Sequence, residues 1–165
     1  MSERVSVLFV CLGNICRSPM AEGVFRHLVE ARGLADQFKL DSAGTGGWHA
    51  GETPDPRSIR TAQHHGVDIS AQRSRVLLPI DLERFDYIFA MDQSNHSNII
   101  KRNPDGKIER VHMFLSLTAA ADAEVPDPYY DRDDGFEHVW RLVSAASEAW
   151  LDRICAEHGL RPSSP

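Results

Sequence analysis

Cysteine is scarce in this chain: Cys11, Cys16 and Cys155 are the three among 165 residues. An odd number without framework spacing excludes a disulfide-stapled secreted fold and fits a reducing compartment, so a cytoplasmic protein is expected. Long hydrophobic runs are also absent. The apolar run from Val5 to Val10 follows one basic residue, is too short for a secretory core, and leads into Gly13-Asn14 without an Ala-x-Ala cleavage site. No stretch is long and apolar enough to span a bilayer. Cations are outnumbered, with 18 Lys and Arg against 24 Asp and Glu and a net charge of -6, which opposes non-specific binding to nucleic acid. The eight histidines do not combine with the cysteines at zinc-finger spacing, so no structural metal is expected. Internal repeats are missing as well, which removes solenoid and fibrous architectures.

What is present is the composition of one globular domain, with 42% hydrophobic and 25% charged residues. A single domain over residues 1–158, followed by a flexible tail over 159–165, is expected. Val5 to Val10 is nearly all apolar and rich in β-branched residues, as in a strand buried on both faces. The turn from Cys11 to Arg17 follows. Ser18-Pro19 then reads as N-cap and first residue of a helix with apolar positions at Ala21, Val24, Phe25, Leu28 and Ala31 and a stop at Gly33.

The unit recurs more weakly. Phe38 to Asp41 reads as a strand, and Asp55-Pro56 caps a helix ending at Gly66. Tyr87 to Met91 is a strand followed by Asp92 as the N-cap of a short helix, and Ile108 to Met113 is a fourth strand. A long helix spans about Phe136 to Cys155, with Val139, Trp140, Val143, Trp150 and Ile154 on one face. Alternating strands and helices predict an α/β fold, three layers with a four-stranded parallel sheet, in which ligands bind beyond the carboxyl ends of the strands.

Cys11-Leu-Gly-Asn-Ile-Cys-Arg17-Ser18 stands at such an end. Five residues between a thiol and an arginine can arch around one point and turn successive N–H groups inward, making an anion nest backed by the positive end of the helix. Gly13 permits a close backbone approach, and Asn14 tolerates a left-handed conformation. The same field favours the thiolate of Cys11. Arg17 is planar and always charged, suited to holding two phosphate oxygens at once. The bland reading makes Cys11 a small buried hydrophobe and Arg17 a surface charge. The strand before, the helix start after and Gly-Asn within the arch favour a phosphate loop.

Residues 7 to 22, Val-Leu-Phe-Val-Cys-Leu-Gly-Asn-Ile-Cys-Arg-Ser-Pro-Met-Ala-Glu, resemble the signature of the low-molecular-weight protein tyrosine phosphatases. The likeness continues through Asp41-Ser-Ala-Gly-Thr45, Phe85-Asp-Tyr-Ile88, Met91-Asp-Gln-Ser-Asn95 and Asp127-Pro-Tyr-Tyr130, in the family's order. It implies a flavodoxin-like fold, a metal- and cofactor-free phosphatase, Cys11 as nucleophile, Arg17 as phosphate clamp and Asp127 as general acid and base. An aryl ester requires such an acid to protonate the phenolate and later to activate water. Pro126 and Pro128 restrict the Asp127 loop, and Tyr129 and Tyr130 supply flat surface for a phenyl ring.

Leu12, Gly13, Asn14, Ile15, Cys16 and Ser18 complete the expected substrate-binding loop. The resemblance puts Trp48 beside Tyr129 at the pocket mouth and gives Asn14, Ser18 and Ser42 the bracing of the loop. Gln72 stands in a segment where family members often carry histidine, and is expected to support the loop without charge. Cys16, which the phosphate chemistry does not need, is expected to resolve an oxidised Cys11 into a reversible disulfide.

An arsenate reductase of similar fold would need a cysteine relay from mid-chain, which is missing. An arginine phosphatase would carry a smaller polar residue at Ile15, and a phosphate-binding module would need neither Cys11 nor Asp127. Expected partners are phosphotyrosine-containing proteins and a cognate tyrosine kinase, with no nucleic acid and no membrane, and a monomer is the default.

Overall fold

A computed structural model describes residues 4–120 and 122–162. Its centre is a four-stranded sheet formed by β1 (Val5–Cys11), β2 (Phe38–Gly44), β3 (Tyr87–Ala90) and β4 (Val111–Met113), in the order β2-β1-β3-β4. All three pairings are parallel, with Val10 opposite Ala43 on one side and Ala90 on the other. The helices are α1 (Arg17–Ala31), α2 (Pro56–His64), α3 (Asp81–Arg84), α4 (Gln93–Arg102) and α5 (Asp133–His158).

Helices cover both faces of the sheet, and the twofold alternation of β1 explains its continuous apolar run. Val5, Val7, Phe9 and Cys11 join the core beneath α1 and α5, with Phe25, Phe114, Phe136 and Trp150. Leu8 and Val10 turn to the other core, with Leu82, Ile88 and Ile99 from the α3 and α4 side. The strand order reverses at β1: β2 lies on one flank and β3 on the other. The carboxyl ends of β1 and β3 therefore flank the crevice where an open α/β sheet binds ligands.

Several boundaries differ from the sequence reading, among them that of β2, which pairs with β1 as far as Gly44 rather than ending at Asp41. Helix α1 starts at Arg17 with Cys16 as N-cap, and no side chain caps it. Pro19 is still within the first turn, where an N–H would have no partner in the helix. The fourth strand is confined to Val111–Met113, because its partner β3 is four residues long and 108–110 close a 3₁₀ turn instead. Helix α5 extends from Asp133 to His158 and ends on Gly159, whose φ of 61° is the left-handed cap that glycine takes freely.

Two caps agree with the reading. Asp55 accepts the Arg57 N–H at 2.8 Å, and Asp92 accepts the Asn95 N–H at 2.7 Å. Beyond α5, Leu160 packs on the core and Gln37 Nε2 donates to the Arg161 carbonyl at 2.7 Å. That contact ties down part of the segment expected to be loose, while 163–165 lie outside the described residues. No helix among the described residues is long and apolar enough to cross a membrane.

Candidate active site

The segment between β1 and α1 turns its carbonyls outward. Cys11 O accepts from Thr45 N, Leu12 O from Gly46 N, Ile15 O from Asp55 N and Cys16 O from Met20 N, while Gly13 O accepts the Ser74 hydroxyl at 3.0 Å. Among the described residues no protein acceptor takes the N–H groups of residues 12–17. Those six donors are left for something held inside the arch, at the amino end of α1. Asn14 makes the arch possible: its φ of 56° is the one positive value outside glycine among the described residues. Gly44 is required for a different reason. A Cβ there would stand 2.8 Å from the Leu12 carbonyl oxygen, backbone that cannot yield.

Behind the arch lies a buried polar brace. Asn14 Nδ2 donates to Ser18 Oγ at 2.7 Å and to Ser42 Oγ at 2.9 Å, and Asn14 Oδ1 accepts the Arg75 N–H at 3.0 Å. Because Asn14 fills an acceptor site of the Ser18 hydroxyl, the Ser18 proton is free to point at Cys11 Sγ, 3.1 Å away. Ser18 is thus a partner of the thiol rather than the helix cap expected from its position. The side chains of Asn14, Ser18 and Ser42 brace the loop from behind and do not line the pocket. Gln72 is one layer further out: its Nε2 donates to the Pro19 carbonyl at 3.1 Å, and the direct contacts to the loop come from Ser74 and Arg75.

Arg17 is buried, and its Nη1 donates to Asp92 Oδ2 at 2.7 Å and to the Val125 carbonyl at 3.1 Å. Its Nη2 faces Asp127 Oδ2 at 3.7 Å. Burial pulls the guanidinium's proton affinity down, but Cys11, Asp92 and Asp127 outweigh it and raise the pKa above its ordinary value. Asp92 therefore has two duties from two oxygens, helix cap and guanidinium anchor, and the second was missed in the sequence.

The hollow above Cys11 has a volume of about 280 Å³. Its floor is Cys11, Gly13, Cys16 and Arg17, and its walls are Leu12, Ile15, Trp48, His49, Asp127, Tyr129 and Tyr130. Sequence reasoning missed His49, whose Nδ1 lies 2.9 Å from Glu52 and whose ring edge would sit 3.1 Å from a Cβ on Gly13. Depth is the main feature: Cys11 is 2% exposed at the bottom while Trp48 is 73% and Tyr130 97% exposed at the rim.

The Asp127 loop is positioned by another residue the sequence reading passed over. Arg57 donates to the carbonyls of Tyr129 at 2.8 Å and Asp131 at 3.1 Å, with its guanidinium over the rings of Tyr129 and Phe136. Its neighbour Asp55 holds both Arg57 and, through its own N–H, the Ile15 carbonyl of the arch. One short segment thus joins the phosphate loop to the Asp127 loop.

The family model of the low molecular weight phosphotyrosine protein phosphatases matches residues 6–159. The chain belongs to this family. Among the similar relatives, the low molecular weight phosphotyrosine protein phosphatase of Schizosaccharomyces pombe is 47% identical over 156 residues, covering 93% of this chain and 99% of that one. The crystal structure of YfkJ from Bacillus subtilis superposes with a TM-score of 0.88 at 39% identity, covering 94% and 98% of the two chains. A protein tyrosine phosphatase from Entamoeba histolytica, solved with Hepes in its active site, gives 0.86 at 35% identity, covering 94% and 98%. In this phosphatase family member the arch, the arginine and the facing carboxylate converge on one small deep hollow.

Proposed function

We propose that the chain hydrolyses phosphotyrosine in proteins through a phosphocysteine intermediate. One observation carries the reading: an arch of six unpartnered N–H groups surrounds Cys11, with Arg17 beside it and Asp127 facing it. In this mechanism the phosphate oxygens take those N–H groups and the Arg17 guanidinium, which hold the equatorial charge as it develops. The Cys11 sulfur attacks phosphorus, the P–O bond to the tyrosine breaks, and Asp127 gives its proton to the leaving phenolate. Water then attacks phosphorus, Asp127 takes a proton from it, and the Cys11 sulfur leaves with the Ser18 hydroxyl stabilising its negative charge.

Pocket depth supports an aryl substrate. A phosphate has to pass the Trp48 and Tyr129 rim to reach Cys11, which a phenyl ring allows; the shorter arm of phosphoserine leaves its phosphate too close to its own backbone. Ile15 supplies apolar wall along that path. Phosphotyrosine-containing proteins, and a tyrosine kinase that is itself so modified, are the partners this slot suits.

The test is hydrolysis of p-nitrophenyl phosphate and of a phosphotyrosine peptide without added metal, by wild type and by Cys11→Ser. Wild type is expected to turn over both. Cys11→Ser is expected to lose turnover while retaining vanadate binding and the fold; activity within about tenfold of wild type would remove Cys11 from the mechanism.

The same pocket supports redox protection of the nucleophile. Cys16 lines the floor with Cys11 and is likewise buried, and its thiol is pushed up to about 12 by burial first, then by Asp55 and Cys11. It stays protonated at neutral pH and is not itself the first target of oxidant. Peroxide oxidises the Cys11 sulfur to a sulfenic acid with release of water, and the Cys16 thiol attacks that sulfur, its proton leaving with the hydroxyl group as a second water, to give a disulfide that a dithiol reverses.

A further inference from the structure

A second cleft of about 390 Å³ shares its wall with the hollow over Cys11. Leu12 and Trp48 line both, so a group leaving the first across that part of its rim enters the second. The far side is built by one face of α4: Asn98, Lys101 and Arg102 are spaced i, i+3 and i+4 and all line the cleft, while Asn95 and Ile99 are buried. Arg102 is fixed in place by carbonyls, donating to Leu77 O at 3.0 Å and Thr45 O at 2.6 Å. Thr45 in turn donates its N–H to the Cys11 carbonyl at 2.9 Å, which places this cation against the outside of the phosphate loop. Lys101 is exposed, and neither cation is paired with a carboxylate among the described residues.

The opposite rim is mixed in sign: it carries carboxylates, but Arg132 and Arg141 line it with them and Asp133 is paired with Arg60 at 3.2 Å. Asp127 lies on it, and Asp131, Asp133 and Asp134 follow Tyr129 and Tyr130 along the chain. The α4 side thus places two cations without a carboxylate partner among the described residues one side chain away from the phosphate site. Helix-dipole complementarity explains cations in the last turn of α4 but not their shared cleft with Trp48 and Leu12.

We propose that this cleft is a specificity subsite for an anionic side chain of the substrate, a carboxylate or a second phosphate, one to three residues from the phosphotyrosine, with Lys101 recognising it. The inference rests on the phosphotyrosine reading of the adjoining hollow. An acidic flank is attracted by Lys101, so the charge of the flank favours the direction that lays it over the α4 side of the mouth.

The experiment compares phosphotyrosine peptides that differ at one flanking position, carrying Glu, phosphoserine, Ala or Lys on either side in turn. The readout is the ratio of kcat/KM between anionic and Lys peptides. For the wild type the Glu-to-Lys ratio is expected to be about three- to fivefold, the range of a partly exposed ion pair, larger for phosphoserine, and to shrink in high salt. Lys101→Gln should bring it near one and Lys101→Glu below one.

A wild-type ratio of one at every position, or the same ratio in wild type and Lys101→Glu, overturns the subsite. Preference for phosphoserine without preference for Glu identifies a second phosphate as the ligand, and equal preference identifies charge alone. Peptide binding to Cys11→Ser by calorimetry gives the same comparison without turnover. A wild type that fails on p-nitrophenyl phosphate would therefore defeat the phosphatase reading while the binding ratios still decide the cleft.

Discussion

Replacing Asn14 probes whether the phosphate arch is held open by its brace. The side chain makes three hydrogen bonds, to Ser18, Ser42 and the Arg75 N–H, and the backbone sits at a φ of 56°. At a net value of about 0.5–1.5 kcal/mol each, the three bonds contribute roughly 1.5–4.5 kcal/mol. A left-handed alanine adds a cost of roughly 1–2 kcal/mol. Asn14→Ala is therefore expected to destabilise the fold by about 2.5–6.5 kcal/mol in urea unfolding followed by tryptophan fluorescence. Asn14→Gly removes the same bonds but takes the left-handed backbone freely. It gains about 0.4–1 kcal/mol of unfolded-chain entropy in exchange, so it should be less damaging by up to about 1 kcal/mol.

Both variants let the arch relax, which misplaces N–H groups that have to meet a transition state. A displacement near 1 Å costs about 10²-fold, so kcat/KM on p-nitrophenyl phosphate should fall by roughly that factor. Saturating vanadate should restore part of the lost stability, because the oxyanion satisfies the same donors. The reasoning is refuted if Asn14→Ala loses under about 1 kcal/mol with kcat/KM within about threefold of wild type, since neither brace nor strain would then be present at the stated size.

Four further outcomes follow from the site. Asp127→Asn is expected to slow phosphotyrosine hydrolysis by roughly 10²–10⁴-fold, and p-nitrophenyl phosphate less if the first P–O cleavage is limiting; equal, small losses on both would assign the acid elsewhere. Arg57→Ala frees the Tyr129 and Asp131 carbonyls and should cut kcat/KM about tenfold by letting the Asp127 loop wander. If Arg57→Lys restored full activity, the paired carbonyl contacts would be discounted. After peroxide and then dithiothreitol, wild type should recover most activity and Cys16→Ser little. Because the Cys16 thiol is raised to about 12, it is protonated below that pH. Alkylation at pH 7–8 should mark Cys11 first, and preferential labelling of Cys16 would contradict the burial argument.

The chemistry was legible locally because its parts are contiguous. Cys11, Gly13, Asn14 and Arg17 lie in one seven-residue stretch between a buried strand and a helix, and φ/ψ preference alone marks Asn14 as the left-handed residue. Asp127 stands out between two prolines, and Asp55 and Asp92 read correctly as caps, since a cap depends on a bond within three residues. What the sequence could not reveal are pairings across long separations. Asp92 meets Arg17 across 75 positions, Arg75 meets Asn14 across 61, and Arg57 meets the Tyr129 carbonyl across 72.

None of these pairings has a periodicity to betray it, because each partner projects from a different element and is chosen by how the sheet stacks those elements. Ser18 was placed by local rules as a cap, yet the helix starts two residues earlier and its hydroxyl turns to Cys11. By itself the sequence determined the candidate site residues of the loop and the strand-loop-helix unit that holds them, since short-range sterics and capping suffice for both. The tertiary structure alone decided which buried partners brace that loop and which cations stand beside it, because those contacts exist only once β1, β3 and α4 are packed edge to face.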